Sequence, residues 1–335
     1  MIKILSQLLT GNDLTSPEAE KWAAYIFSAK GSEQFIKSSI LLLRKKGEGI
    51  EELINLVRYL RKQASSVNVD LPYLVDFCGT GGDRKNTFNI STLAAIVAAG
   101  AGAYVAKHGN RSVSSKCGSS DLIENLGVQL KIDPVKAARI LKQAHFVYLH
   151  APYFHPAFAK VQKIRQELKT KTIFNFLGPL LNPANAHHQL MGVSEPSLLE
   201  VYPVILRELG VEHAWVVMDE GGYDEISLTG NAYAVQIQKG QIRKLKLKPS
   251  DFGLNKINPK ELVTRELKDN LKIAHGILKG KDKGPRQNVV LANAALGLLA
   301  SGRANDLREG MALARFSIET GRANHVLEKV TQLSQ

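Results

Sequence analysis

Leu74-Val75-Asp76-Phe77-Cys78-Gly79-Thr80-Gly81-Gly82-Asp83 is followed by Asn89-Ile90-Ser91-Thr92 and then by Lys107-His108-Gly109-Asn110-Arg111. These pieces lie in one stretch, 74–127, and its reading decides the fold. Residues 74–78 form a short apolar run of strand length, which three glycines within four residues then interrupt. The small-residue run 91–101 predicts a helix, and 103–106 predicts a second strand. Strand, helix and strand within about thirty residues make a βαβ unit, which implies a parallel sheet.

The alternation continues outward. Helices are expected at 134–143, 156–168 and 196–209, with strands at 146–149 and 215–217. The runs 232–237 and 242–247 flank Lys239-Gly240 and predict a hairpin. Helices are expected to close the chain from 287 to 333. Upstream, residues 1–67 carry apolar residues only at helical spacing, as in Ala19-Trp22-Ala23-Ile26. Thr15-Ser16-Pro17-Glu18 has the order of a helix start. The fold class expected is α/β: a small N-terminal all-helical domain, 1–68, and a large domain, 70–335, with a mainly parallel central sheet. Helices around 160–190 are expected to join the two.

The composition is that of an ordinary globular protein: 335 residues, 44% hydrophobic and 22% charged. Cys78 and Cys117 are the only cysteines, too few for a disulfide framework and without metal-ligand spacing. A reducing, cytoplasmic setting is expected, with no signal peptide and no membrane span. The net charge of +13 favours an anionic partner. The basic residues are dispersed, so a nucleic-acid arm is not indicated, and a phosphorylated small molecule fits as well.

The chemistry is concentrated in three loops. Glycines after a strand let backbone amides converge on an anion. The turn Gly79-Thr80-Gly81-Gly82-Asp83 fits neither the dinucleotide-binding pattern, because residue 84 is Arg, nor the P-loop, because no Gly-Lys-Ser/Thr closes it. Asn89-Ile90-Ser91-Thr92 opens a helix, whose free amides and dipole attract phosphate. The 107–121 segment mixes cations with five serines and two glycines, a composition that can surround a phosphate. In open α/β sheets ligands sit at the carboxyl ends of the strands, where these loops lie. The stretch therefore reads as a grip on a diphosphate and a phosphate together. A plain tight turn, a plain helix cap and a solvated basic loop are the bland alternatives for the three pieces taken singly.

Taken together, the three loops resemble the anthranilate phosphoribosyltransferase family. The likeness extends to Ala151-Pro152, His155-Pro156-Ala157, Phe174-Asn175, Leu177-Gly178-Pro179-Leu180, Asn182-Pro183, Asp224-Glu225-Ile226-Ser227, Asp251-Phe252-Gly253 and Asn293-Ala294-Ala295. It implies attack of the anthranilate amino group on C1 of phosphoribosyl pyrophosphate, with loss of pyrophosphate, in tryptophan biosynthesis. It also implies a homodimer paired through the helical domain.

By that resemblance, Gly79, Gly82, Asp83, Thr87, Asn89, Ile90, Ser91 and Thr92 hold the diphosphate. Lys107, His108, Gly109, Asn110, Arg111, Ser112, Val113, Ser114, Ser115 and Ser119 hold the ribose and its 5-phosphate. Asp224 and Glu225 bind Mg²⁺, with Ser91 on a second ion, giving two Mg²⁺ per subunit. Anthranilate meets Gly79, Asn110 and Arg165, whose planar guanidinium suits a carboxylate, while His108, His155 and Pro179 line its access path. No strong general base is expected, with His108 the one candidate proton acceptor.

The chain departs from the family pattern at four places. Arg84 and Lys169 replace glycines, Cys117 replaces a serine, and Met218-Asp219 replaces a His-Gly pair. The alternative reading is a nucleic-acid-binding homologue that keeps the fold without the transferase reaction, supported by the charge alone. A nucleoside phosphorylase of the same fold would need a base pocket in place of Asn110 and Arg165.

Overall fold

Helices two to four of the chain begin at built caps, and each of the first four helices buries one stripe. The computed structural model describes residues 1–28, 30–111, 117–168, 170, 172–264 and 266–335, with backbone alone at 160, 162, 165 and 166. Helices α1 (Ile2–Leu9), α2 (Ser16–Phe27), α3 (Glu33–Lys46) and α4 (Ile50–Gln63) come first. At the start of α2, the Glu18 carboxylate accepts from Thr15 N (3.1 Å) and Thr15 Oγ1 (2.8 Å). Helix α3 ends in Arg44, Lys45 and Lys46, cations that suit the negative end of its dipole.

Glu52 is fully buried yet satisfied. It accepts from Leu14 N (2.9 Å), Gly49 N (2.8 Å) and Lys46 Nζ (2.8 Å), so one carboxylate ties α4 to the loop before α2. The apolar stripes meet around Trp22, Ile36, Ile40, Leu56 and Val57.

Strand β1 (Val75–Gly79), helix α5 (Ile90–Gly100) and strand β2 (Val105–Gly109) form the βαβ unit. Then follow α6 (Ser119–Asn125), α7 (Pro134–Ala144), β3 (Phe146–His150), the short α8 (Ala151–Phe154) and α9 (Phe158–Leu168). Next come β4 (His188–Gly192), α10 (Leu198–Glu208), β5 (His213–Asp219) and the hairpin β6 (Ala232–Gln238) and β7 (Gln241–Leu247). Helices α11 (Leu267–Leu278), α12 (Pro285–Ala300), α13 (Leu307–Glu319) and α14 (Arg322–Ser334) finish the chain.

Among the described residues the strands make one seven-stranded sheet in the order β3-β2-β1-β4-β5-β6-β7. Strands β3 through β5 in that order run parallel, and β6 and β7 run antiparallel at one edge. Lys239 and Gly240 both take positive φ (49° and 76°), the geometry of a two-residue hairpin turn matched to strand twist.

The sheet is covered on both faces. Along β5, Ala214, Val216 and Met218 join the core shared with α10 and the N-terminal helices. Trp215 and Val217 join the core beneath α5 and α12. That period of two, apolar on both sides, is what a doubly covered parallel strand requires. No helix among the described residues is long and apolar enough to cross a membrane.

Three expectations need correction. The second strand runs Val105–Gly109, two to three residues later than the 103–106 reading, because Gly102 turns the chain at φ +96° first. Strand β4 was not anticipated: His188 and Gln189 look like loop residues, yet both are buried, at 7% and 4% exposure. Helix α11 also went unread, although apolar Ile273, Ala274, Ile277 and Leu278 lie at helical spacing within a lysine-rich segment.

Candidate active site

The strand order reverses at β1, whose neighbours are β2 on one side and β4 on the other. This is the switch point at which open α/β sheets bind ligands, and the loops after β1, β2, β4 and β5 meet there.

The β1 loop is a glycine turn held from β4 and β5. Gly81 and Gly82 take φ of +63° and +81°. Thr80 N donates to Gly192 O (2.9 Å), and Ser194 Oγ donates to Gly81 O (3.0 Å). Gly81 N donates to Asp224 Oδ2 (2.9 Å). Arg84 takes φ 59°, a left-handed conformation in which glycine is the unstrained residue, so the departure at this position carries local backbone strain.

Helix α5 supplies the second wall. Ser91 N at its first turn donates to Glu225 Oε1 (2.9 Å), and Thr92 Oγ1 is buried without a partner. Asp224 and Glu225 therefore each accept a backbone N–H, one from the glycine turn and one from the α5 start. Asn293, on α12 and 2% exposed, clamps the same turn. Its Oδ1 accepts from Ile226 N (3.1 Å) and its Nδ2 donates to Ile226 O (2.9 Å). Keeping such a buried group paired is worth about 1–3 kcal/mol. On the other flank Asp219 is fully buried and accepts from Gly221 N (2.7 Å) and Ser227 Oγ (2.7 Å). The Met218-Asp219 departure thus has a structural use: its carboxylate organises the 220–227 turn.

Asp224 and Glu225 are each half-buried. Burial, with the Asp83 carboxylate beside it, pushes Asp224 up to about 7. Burial pushes Glu225 well above the carboxylate range, and Asp224 adds to the shift. Carboxyls crowded in this way repel one another as anions and are relieved by a divalent cation, so the residues fit Mg²⁺. Among the described residues no three His, Cys, Asp or Glu side chains form a complete metal cluster. Mg²⁺ suits such a partial set, since it takes only one or two carboxylates and fills its shell with water and substrate phosphate oxygens.

The β2 loop carries the sugar-side candidates. Lys107 is 3% exposed and turns its ammonium toward Phe77 O and, at 3.3 Å, Ser91 Oγ. It therefore stands at the α5 end of the site. Burial pulls its ammonium down, opposed by the Asp76 carboxylate. Arg111 pairs with Asp121 and with Glu124 (2.7 Å) on α6. Ser119 Oγ donates to Asn110 O (3.3 Å) and lies 2.7 Å from Tyr148 Oη, which shares a hydrogen bond with Ser120 (2.8 Å). Ser112, Val113, Ser114 and Ser115 lie outside the described residues, as does Lys169.

His108 Nδ1 lies 3.2 Å from Gly178 O. A carbonyl only accepts, so the ring proton belongs on Nδ1 and Nε2 keeps its lone pair. Nε2 is buried and unpartnered. Burial, with His155 beside it, pulls the ring down to about 3, so it is neutral and a weak base. The two rings sit edge to face at 5.2 Å, and His155 Nε2 lies 2.7 Å from Leu181 O. Pro179 follows Gly178, and Gln189 Nε2 on β4 donates to Pro179 O (2.6 Å). Arg165 lies on α9, and its side chain is outside the described residues.

The structure thus gathers Gly79, Gly82, Asp83, Asn89 to Thr92, Lys107, Asp224 and Glu225 around one switch point, and His108, His155 and Pro179 beside it. Sequence reasoning missed Gln189, Gly192, Ser194, Asn270 and Asn293 as supports. Asn293 had a signal, since it stands in the Asn293-Ala294-Ala295 motif, whereas the others had none.

Residues 71–324 match the family profile described as glycosyl transferase family, a/b domain. A relative from Roseiflexus sp. (strain RS-1), an anthranilate phosphoribosyltransferase, is 41% identical over 98% of this chain and 96% of its own. The crystal structure of anthranilate phosphoribosyltransferase from Thermus thermophilus superposes with a TM-score of 0.92 at 36% identity, covering 99% of both chains. The Saccharomyces cerevisiae enzyme in complex with phosphoribosyl pyrophosphate and Mg gives 0.90 at 29% identity, over 99% of this chain and 97% of that one. Similar in sequence and in fold along almost the whole chain, this protein belongs to the anthranilate phosphoribosyltransferase family.

Proposed function

We propose that the switch-point cleft holds phosphoribosyl pyrophosphate with its diphosphate over Gly79, Gly82, Asp83, Thr87 and Asn89 to Thr92. Its ribose and 5-phosphate then face the 107–119 loop. Anthranilate lies toward Gly79, Asn110, His108, His155 and Pro179, with Arg165 on its carboxylate. The reaction is transfer of the 5-phosphoribosyl group to the anthranilate amino group, giving N-(5-phosphoribosyl)anthranilate and pyrophosphate, in tryptophan biosynthesis.

One observation carries the residue assignment. Asp224 and Glu225 are hydrogen-bonded to Gly81 N and Ser91 N, so the acidic pair is registered against both diphosphate elements. Unscreened carboxylates would repel a diphosphate; Asp224 and Glu225 would hold one Mg²⁺ and Ser91 would face a second, which would remove that conflict. When bound, Mg²⁺ neutralises charge on the departing pyrophosphate.

The chain's own groups do the rest. The glycine turn and the α5 dipole face the leaving group. The C1–O bond breaks with its electron pair going to pyrophosphate, and the amine nitrogen bonds to C1 and then sheds a proton. An alkylated anilinium is acidic, so the weakly basic Nε2 of His108 is an adequate acceptor.

The test is loss of anthranilate fluorescence with phosphoribosyl pyrophosphate and Mg²⁺, and no loss would overturn the reading. Arg165→Ala is expected to raise KM for anthranilate by about 10-fold or more, the loss of one charge-assisted pair. A rise confined to the KM for phosphoribosyl pyrophosphate would reassign Arg165. The dispersed positive charge supports no specific nucleic-acid contact.

The division near residues 68–70 and dimerisation through the helical unit belong to the same proposal. Helix α9 packs on α2 and α3, which supports the joining role of 160–190. Ile2 (88% exposed), Leu9 (70%) and Leu41 (44%) leave apolar surface on α1 and α3 that a second copy can cover. Sedimentation equilibrium should give twice the chain mass, and a monomer mass would remove the dimer.

A further inference from the structure

Asn270 lies in the first turn of α11 and is 3% exposed. Its Oδ1 accepts from Asn89 N (3.0 Å) and Asn89 Nδ2 (3.2 Å). Its Nδ2 donates to Thr264 Oγ1 (3.0 Å) and Glu266 O (3.4 Å). The orientation is forced, because a flipped amide would set its NH₂ against the Asn89 donors and its oxygen against the Glu266 carbonyl.

Asn89 is the cap residue of α5, a position from which an asparagine usually accepts the helix's own first amides. Here it makes no such bond. Its Nδ2 is turned toward Asn270 and toward Cys117 O (3.4 Å), and Glu225 answers Ser91 N instead. The strip before α11 strengthens the hold. Phe88 N donates to Leu262 O (3.0 Å), Thr264 N donates to Asn86 O (2.9 Å), and Thr87 bridges Val263.

We propose that Asn270 is a positioning residue, braced by Thr264, that draws Asn89 away from capping α5 and so leaves the Thr92 amide of the first turn open to the diphosphate of phosphoribosyl pyrophosphate. This rests on the reading of the Asn89 to Thr92 turn as a diphosphate site.

Kinetics on three variants test it, with Asn89→Ala as the control for that underlying reading. Asn270→Leu keeps the branching at Cγ and removes both hydrogen-bonding roles. It is expected to raise KM for phosphoribosyl pyrophosphate by about tenfold or more, as loss of an orienting partner does. KM for anthranilate should stay within about twofold, a split that general destabilisation would not produce. Thr264→Val should show the same split more weakly, and Thr264→Ser, which keeps the hydroxyl, should behave as the parent. Should the Asn270 variant fail to fold, the Thr264 pair still decides, because equal KM values in Val and Ser overturn the brace. If Asn89→Ala raises KM for phosphoribosyl pyrophosphate and Asn270→Leu does not, the positioning role is wrong and the site stands. If Asn89→Ala leaves it unchanged, the diphosphate reading itself falls.

Discussion

Replacing Asp224 with Asn and Glu225 with Gln together is expected to lower kcat/KM for phosphoribosyl pyrophosphate by about 100-fold or more, the scale of losing charge stabilisation at a leaving group. The amide oxygens can still accept from Gly81 N and Ser91 N, so the turn and the α5 start keep their register. What the variant loses is the charge that draws a divalent cation. Half-saturating Mg²⁺ should rise in parallel. Activity within about threefold of the parent, at an unchanged Mg²⁺ requirement, would sink the metal role, since a single lost pairing already costs more. The ligand-free variant should also melt at a higher temperature. Both carboxyls are raised by burial, so their ionised forms oppose folding above that range, and neutral amides remove the opposition. A site that weakens the empty protein while serving the bound one is a familiar compromise.

The second large effect comes from a residue that offers no side chain. Gly192 ends β4, and a Cβ placed there would lie 1.5 Å from Asp224 O and 2.5 Å from Asp224 C. Backbone cannot swing aside as a side-chain tip can, so Gly192→Ala must push the 220–227 turn outward. A displacement on the order of 1 Å costs about 100-fold in rate when it misaligns reacting groups. Overpacking adds a stability loss of about 1–3 kcal/mol. The expected result is a collapse of kcat/KM with a modest fall in urea midpoint. An alanine variant with parent-like kcat/KM would show that the acidic turn tolerates the shift and that its register is unimportant.

These two variants separate what could be read from the chain and what could not. The turn from Gly79 to Asp83, the α5 start and the Lys107 loop are contiguous, and each advertises itself through glycines, hydroxyls or charge at short range. Asp224 and Glu225 were legible only through resemblance, since in isolation they look like a solvated turn. Gly192 and Asn270 were silent because their importance is wholly tertiary, with partners 32 and 181 residues away, and Asn293 signalled itself only through its motif, its partner lying 67 residues away. Strand β4 escaped for a related reason. Its buried His188 and Gln189 mimic loop chemistry until their partners, Ala300 O and Pro179 O, come into place. Arg84 shows the converse, a visible departure whose physical content, a left-handed backbone, appears only in three dimensions.

The clamp from Asn293 to Ile226, and the strip joining Leu262 to Phe88, have a consequence for synthesis. Ribosomes deliver the anion-gripping loops early and their fasteners late. A nascent chain that has just exposed β2 already displays the glycine turn, yet the fasteners of the α5 start are completed only when residue 270 emerges, and those of the acidic turn only when residue 293 does. Substrate therefore cannot template the early folding of this protein. Nearly the entire polypeptide must be made before binding competence arrives, and it should arrive abruptly, once the final helices dock onto α5.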